Sequence, residues 1–141
     1  MRTLHIGLRV KDLERSLAFY TSVGYELVGT VPETELGSLT MLALPGDEFV
    51  ALELVHDPTH GPVEPGGLSH VVIQVDDIRA TVAQLAERGV QAEEPGSPDG
   101  SADFWTAWLT DPGGYRIELV RWPDGHPDGM TRSDLAAPGQ S

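Results

Sequence analysis

Four side chains in this sequence are spaced as a matched donor set: His5, Glu53, His70 and Glu118. The His-to-Glu interval is identical in the two pairs, so the shift that carries His5 onto His70 also carries Glu53 onto Glu118. Two imidazoles and two carboxylates gathered in one place suit a borderline divalent ion such as nickel, cobalt, zinc, manganese or iron. Calcium favours more oxygens and copper a flatter arrangement. Four protein ligands leave one or two positions of a five- or six-coordinate ion free for substrate oxygens, so the site would be open and fit for catalysis. The sequence has no Cys. A metal would therefore be held by nitrogen and oxygen alone, and thiol nucleophiles are excluded. Taken singly, a His in an apolar strand is more often a hydrogen-bonded core residue, and a lone Glu an exposed edge residue. The repetition favours the metal, because two carboxylates sharing a cavity without a cation raise each other's proton affinity, a cost that a metal removes.

The same shift extends well beyond the four. It lays Leu4–Leu13 over Ser69–Ile78, Gly24 over Gly89, and Glu53, Leu54 and Val55 over Glu118, Leu119 and Val120, without a gap. A repeat of this length is one structural unit built twice. In the first copy Leu4, Ile6, Leu8 and Val10 alternate with His5, Gly7 and Arg9, the period of a strand with one buried face. Asp12 then caps a helix with apolar positions at Leu13, Leu17 and Tyr20, stopped by Gly24; Asp77, Ile78, Val82, Leu85 and Gly89 do the same in the second copy. Three strand-like runs follow in each, including Leu39–Leu44 and Phe49–Val55 in the first, Phe104–Leu109 and Tyr115–Val120 in the second. The predicted class is α+β: two βαβββ modules, residues 1–60 and 61–122, forming a curved, partly open mixed sheet around a metal site. Each His falls in a first strand and each Glu in a last one, where Leu52, Leu54, Ile117 and Leu119 point to the opposite, core-facing side. Residues 57–67 are a Pro- and Gly-rich connector. Residues 123–141 read as a mobile tail, with covering a site mouth as the alternative.

The remaining features bound the function. Net charge is −13, from 22 Asp and Glu against 9 Lys and Arg, which repels phosphate backbones and anionic membrane surfaces, so neither nucleic acid nor membrane is an expected partner. No apolar run approaches ~18 residues and no signal-like opening is present, which predicts a soluble cytoplasmic protein. His56, His60 and His126 have no repeat partners and lie in or beside Pro- and Gly-rich stretches, so they are read as non-ligands. Phe104, Trp105 and Trp108 share one predicted strand, where core packing is the more frequent use and a pocket wall the alternative.

The opening MRTLHIGLRVKDLERSLAFYT (Met1–Thr21) resembles that of bacterial glyoxalase I, in the vicinal-oxygen-chelate superfamily, and DPGGYRIEL (Asp111–Leu119) resembles the stretch that closes the superfamily's second module. The similarity spans residues 1–122. It implies a lyase that isomerises the hemithioacetal of methylglyoxal and a thiol through an enediolate, with His5, Glu53, His70 and Glu118 as ligands of one metal, nickel or cobalt favoured. It further implies Glu118 as the principal base, Glu53 as its partner on the opposite face, and Arg9 as the anchor of a thiol carboxylate. A homodimer with sites between subunits is implied as well, although the modules could equally pair within one chain. The chain departs from the family where a lysine commonly helps hold glutathione: Pro95–Asp103 has no cation. An epimerase or an iron dioxygenase using the same site, or a metal-free binding protein of this fold, are the competing functions.

Overall fold

The computed structural model describes residues 1–135. The first module contains β1 (Ile6–Arg9), α1 (Leu13–Val23), β2 (Glu26–Val31), β3 (Ser38–Ala43) and β4 (Leu52–His56); the second contains β5 (His70–Gln74), α2 (Ile78–Glu87), β6 (Trp105–Thr110) and β7 (Arg116–Arg121). Both helices start as the sequence predicts. The Asp12 carboxylate accepts from Arg15 N at 3.1 Å and that of Asp77 from Ala80 N at 3.0 Å, each satisfying a backbone donor that the first helical turn leaves free. Gly24 ends α1 at φ 130, a conformation that strains any residue with a Cβ. No helix among the described residues is long and apolar enough to cross a membrane.

The strands form two mixed, unclosed sheets, one per module, ordered β1-β4-β3-β2 and β5-β7-β6, as the α+β reading of two repeated modules expects. β1 runs parallel to β4 and β5 parallel to β7, and the registers repeat: Gly7 pairs with Glu53 and Val72 with Glu118. The second module lacks one predicted strand. Its counterpart of β2 is reduced to an isolated bridge between Gly96 and Thr106, with Glu93 N donating to Trp108 O at 2.9 Å. Pro95 and Pro98 lie in this stretch; proline has no N–H to donate, so a regular ladder cannot be continued through them. In the first module β4 begins at Leu52 rather than at Phe49, which stands 50% exposed in the preceding loop.

One core serves both modules. Leu8, Leu42 and Leu54 from the first sheet, Tyr20 from α1, Ile117 and Leu119 from the second sheet, and Leu85 from α2 all belong to a single buried cluster. The polar ties across it are specific. The Tyr20 hydroxyl donates to Asp111 Oδ2 at 2.7 Å, while the other oxygen of Asp111 accepts from Gly113 N at 2.8 Å and Tyr115 N at 2.9 Å. Tyr115 in turn donates its hydroxyl to Arg9 O at 2.8 Å. Burial, reinforced by the charge of Asp111, pushes the Tyr20 phenol well above its ordinary pKa, so it remains a donor. The DPGG turn is thereby fixed to α1, and the two modules to each other.

Residues after β7 carry local structure. His126 stacks on Trp122 with ring centroids 4.6 Å apart, Trp122 stacks on Phe104, and a single 3-10 turn spans Arg132–Leu135. The rest of the segment expected to be mobile, residues 136–141, lies outside the described residues.

Replacing Tyr20 by Phe leaves Asp111 Oδ2 buried without its donor. Urea unfolding of Tyr20→Phe is expected to show a loss of about 1–3 kcal/mol with an unchanged denaturant slope; an unaltered midpoint would remove this bond from the account of how the modules are joined.

Candidate functional site

Alternation along each sheet sorts its residues onto two faces. Leu8, Leu42, Leu54, Ile73, Ala107, Leu109, Ile117 and Leu119 are buried on the helix side. His5, Gly7, Arg9 and Glu53 share the other face of the first sheet; His70, Val72, Gln74 and Glu118 share the matching face of the second. The parallel register places each His two residues before the partner of its Glu, so His and Glu are diagonal neighbours in both sheets.

The two pairs differ in detail. His5 lies just before β1, and its Nε2 meets Glu53 Oε2 at 2.8 Å, Glu53 being only 8% exposed. Gly7, opposite Glu53, has no side chain to stand between them. Val72 occupies the equivalent place beside Glu118. His70 is turned to other partners: its Nδ1 lies 2.8 Å from Ser69 Oγ, and its ring meets Trp108 edge-on at 5.2 Å. His70 and Glu118 still line one cavity of about 610 Å3.

Each face thus supplies one imidazole and one carboxylate. Among the described residues no three His or carboxylate side chains are grouped to hold a metal, so the chain by itself does not bring all four together. The donor chemistry of the two pairs combined fits a divalent ion; either pair alone offers only half of that set. Arg9 lies on the same face as His5, with Nη1 donating to Leu36 O at 3.3 Å. A larger cleft of about 680 Å3, between the start of α1 and the turn at Pro112 and Gly113, contains none of the four candidate ligands but includes His56.

The aromatic residues divide by strand parity. Trp105 packs against the core, with the Arg79 guanidinium 5.3 Å from its ring centre. Phe104 lines the cavity with His70 and Glu118, and Trp108 adjoins His70. Sequence reasoning missed the contribution of the C-terminal segment. Trp122, Asp128, Gly129 and Met130 all line this cavity, and only the alternative reading of the tail, as cover for a site mouth, pointed there. The segment is clipped by His126, whose Nδ1 lies 2.6 Å from Pro127 O and whose Nε2 lies 2.7 Å from Asp134 Oδ1. Both neighbours are acceptors, so only the imidazolium satisfies both ring nitrogens.

Family membership agrees with this geometry. Residues 2–119 match the family model of the Glyoxalase/Bleomycin resistance protein/Dioxygenase superfamily, and the chain belongs to that superfamily. A probable lactoylglutathione lyase of Vibrio cholerae is 36% identical over 130 residues, covering 89% of this chain and 94% of the relative. Among solved structures, a glyoxalase I mutant from Zea mays superposes with a TM-score of 0.73 at 28% identity, over 87% of this chain and 45% of that one. An antibiotic binding protein from Streptomyces sp. CB03234 gives 0.67 at 27% identity, over 88% and 98%.

Hydrogen bonds to Asp134 and Pro127 raise the His126 pKa above 6.5, and those from Thr131 and His126 lower that of Asp134 below 3.8. The clip is therefore fully made below the ordinary His value and weakens as pH rises through the raised one; on the acid side it fails as pH falls through the lowered Asp134 value. An NMR titration should give His126 a pKa above 6.5 that drops in Asp134→Asn. Identical titrations in the two proteins would mean that the contact does not form in solution.

Proposed function

We propose that the protein is a cytoplasmic, homodimeric, metal-dependent lyase of the glyoxalase I type, isomerising the hemithioacetal formed by methylglyoxal and a thiol. The observation that carries this reading is the repeated register, which sets a His diagonal to a Glu on the helix-free face of both sheets. It is supported by the probable lactoylglutathione lyase of Vibrio cholerae and the lactoylglutathione lyase of Salmonella typhimurium, 36% and 32% identical over most of the chain. The likeness to an antibiotic binding protein marks a second use of the same fold. The paired His and Glu side chains favour the enzyme, since a pocket for an apolar drug has no use for two imidazole-carboxylate pairs.

In this reading His5 and Glu53 of one subunit and His70 and Glu118 of its partner would hold one divalent metal, nickel or cobalt favoured and zinc, manganese or iron acceptable to the same donors. When bound, the metal supplies Lewis-acid stabilisation of negative charge on the substrate oxygens. The chain's own residues do the remainder. Glu118, half-buried and lining the cavity, takes the proton from C1 of the hemithioacetal and returns it to C2. Glu53 serves the opposite face of the substrate, kept in place by His5. Arg9, on the same face as His5, anchors a carboxylate of the thiol. Apolar side chains of Val72, Val120, Phe104 and Trp122 line the cavity beside Glu118.

Glu118→Gln retains a weak oxygen ligand and loses the base. Metal-replete protein is expected to convert the methylglyoxal hemithioacetal, and the metal-loaded variant to do so about 10²–10⁴-fold more slowly. Turnover undiminished at full metal occupancy would rule out Glu118 as the base.

A further inference from the structure

Three rings stack at one end of the second sheet. Phe104 stands one residue before β6 and Trp122 one residue after β7; their rings are nearly parallel with centroids 5.4 Å apart, and the His126 imidazole stacks on Trp122 at 4.6 Å. His126 is also the base of a loop. Its Nε2 meets Asp134 Oδ1 at 2.7 Å, eight residues further along the chain, so the ends of the segment between them are held together. Asp128, Gly129 and Met130 lie inside that loop and line the cavity that contains His70 and Glu118. Among the described residues no hydrogen bond ties these three to either sheet. Their place at the cavity therefore rests on packing and on the base of the loop.

The base holds best when it is charged. Nδ1 of His126 lies 2.6 Å from Pro127 O, so both ring nitrogens face acceptors, and a neutral imidazole leaves one lone pair against an oxygen. The imidazolium makes both bonds and sets a cation over the Trp122 indole, which attracts it. Loss of the proton forfeits one bond, the charge assistance of the other and the attraction to the indole together. Of the charged groups on the elements packed against the ring, Arg121 pairs with Asp124, Asp103 accepts from Asp124 N, and Asp128 and Arg132 have no ion pair among the described residues. Asp134 alone lies within hydrogen-bond reach.

We propose that protonated His126 is a positioning residue: it pins the loop of residues 127–133 on Trp122 so that Asp128, Gly129 and Met130 stand at the cavity, and loss of the ring proton releases them, which makes substrate binding there pH-dependent. The proposal rests on the lyase reading for the substrate that the cavity takes. Binding is weakened in proportion to the fraction of molecules whose loop is released. In metal-replete protein the KM for the hemithioacetal of methylglyoxal and glutathione is expected to rise about fivefold between about pH 5.5 and pH 8.5, with its midpoint at the NMR titration of His126 and no inflection of kcat there. His126→Arg keeps a planar cation that stacks on Trp122 and donates on both sides, and should hold KM low throughout this range. His126→Phe keeps the stack without the bonds, and should hold it high. The Met130 methyl signal, from one of three methionines, reports the loop without turnover: it should follow the His126 titration in the wild type and lose that step in both variants.

A KM profile shared by the wild type and both variants, or a Met130 signal indifferent to His126 protonation, would overturn the proposal and leave the lyase reading standing. A Met130 signal that follows His126 in protein that converts no hemithioacetal would uphold the loop and overturn the lyase reading. Neither response, from the methyl signal or from turnover, overturns both.

Discussion

Each sheet in this protein has two faces and only one helix to cover them. α1 and α2 both lie on the side that faces the shared core, and burial of Leu8, Leu54, Ile117, Leu119 and their neighbours there satisfies the hydrophobic requirement of the fold. The other face of each sheet is left without a helix. Because strand side chains alternate, committing one set to the core commits His5, Gly7, Glu53, His70, Val72 and Glu118 to the uncovered side. The chemistry of the protein is thus a consequence of which face the core takes.

In the proposed reading, a second subunit covers these helix-free faces and completes the site. Each face offers one imidazole and one carboxylate, and joining two of them gives the coordination that neither offers alone. The ties that fix the modules within a chain, from Tyr20 to Asp111 and from Tyr115 to Arg9, are on the helix side and leave the ligand faces free. The acidic character of the chain suits this arrangement, since a cation between the faces relieves the repulsion of the paired carboxylates.

Much of this was legible in the sequence because a repeat carries its own control. The shift that aligns His5 with His70 predicted both Asp caps, both Gly stops and the placing of each His in a first strand and each Glu in a last one, and these depend on local alternation and capping; the parallel pairing of those strands came from the structure. Two things were not legible. The missing strand of the second module turns on Pro95 and Pro98, whose lack of N–H donors matters only once the partner strand is known. The role of Trp122, His126 and Met130 rests on stacking with Phe104 and a clip to Asp134, contacts that no periodicity records. Nor does the repeat show why one His-Glu pair is closed and the other is not, since His70 is turned to Ser69 Oγ and the Trp108 ring.

The central claim is that the site is built from two chains, and mixed dimers test it directly. In a heterodimer of His5→Ala and Glu118→Ala chains, a shared arrangement leaves one site with both lesions and one with none. The account predicts that about half of the wild-type activity per dimer returns, although each parent homodimer is nearly inactive. Heterodimers of verified composition with no more activity than the parents would contradict it, and would mean that each chain completes its own site.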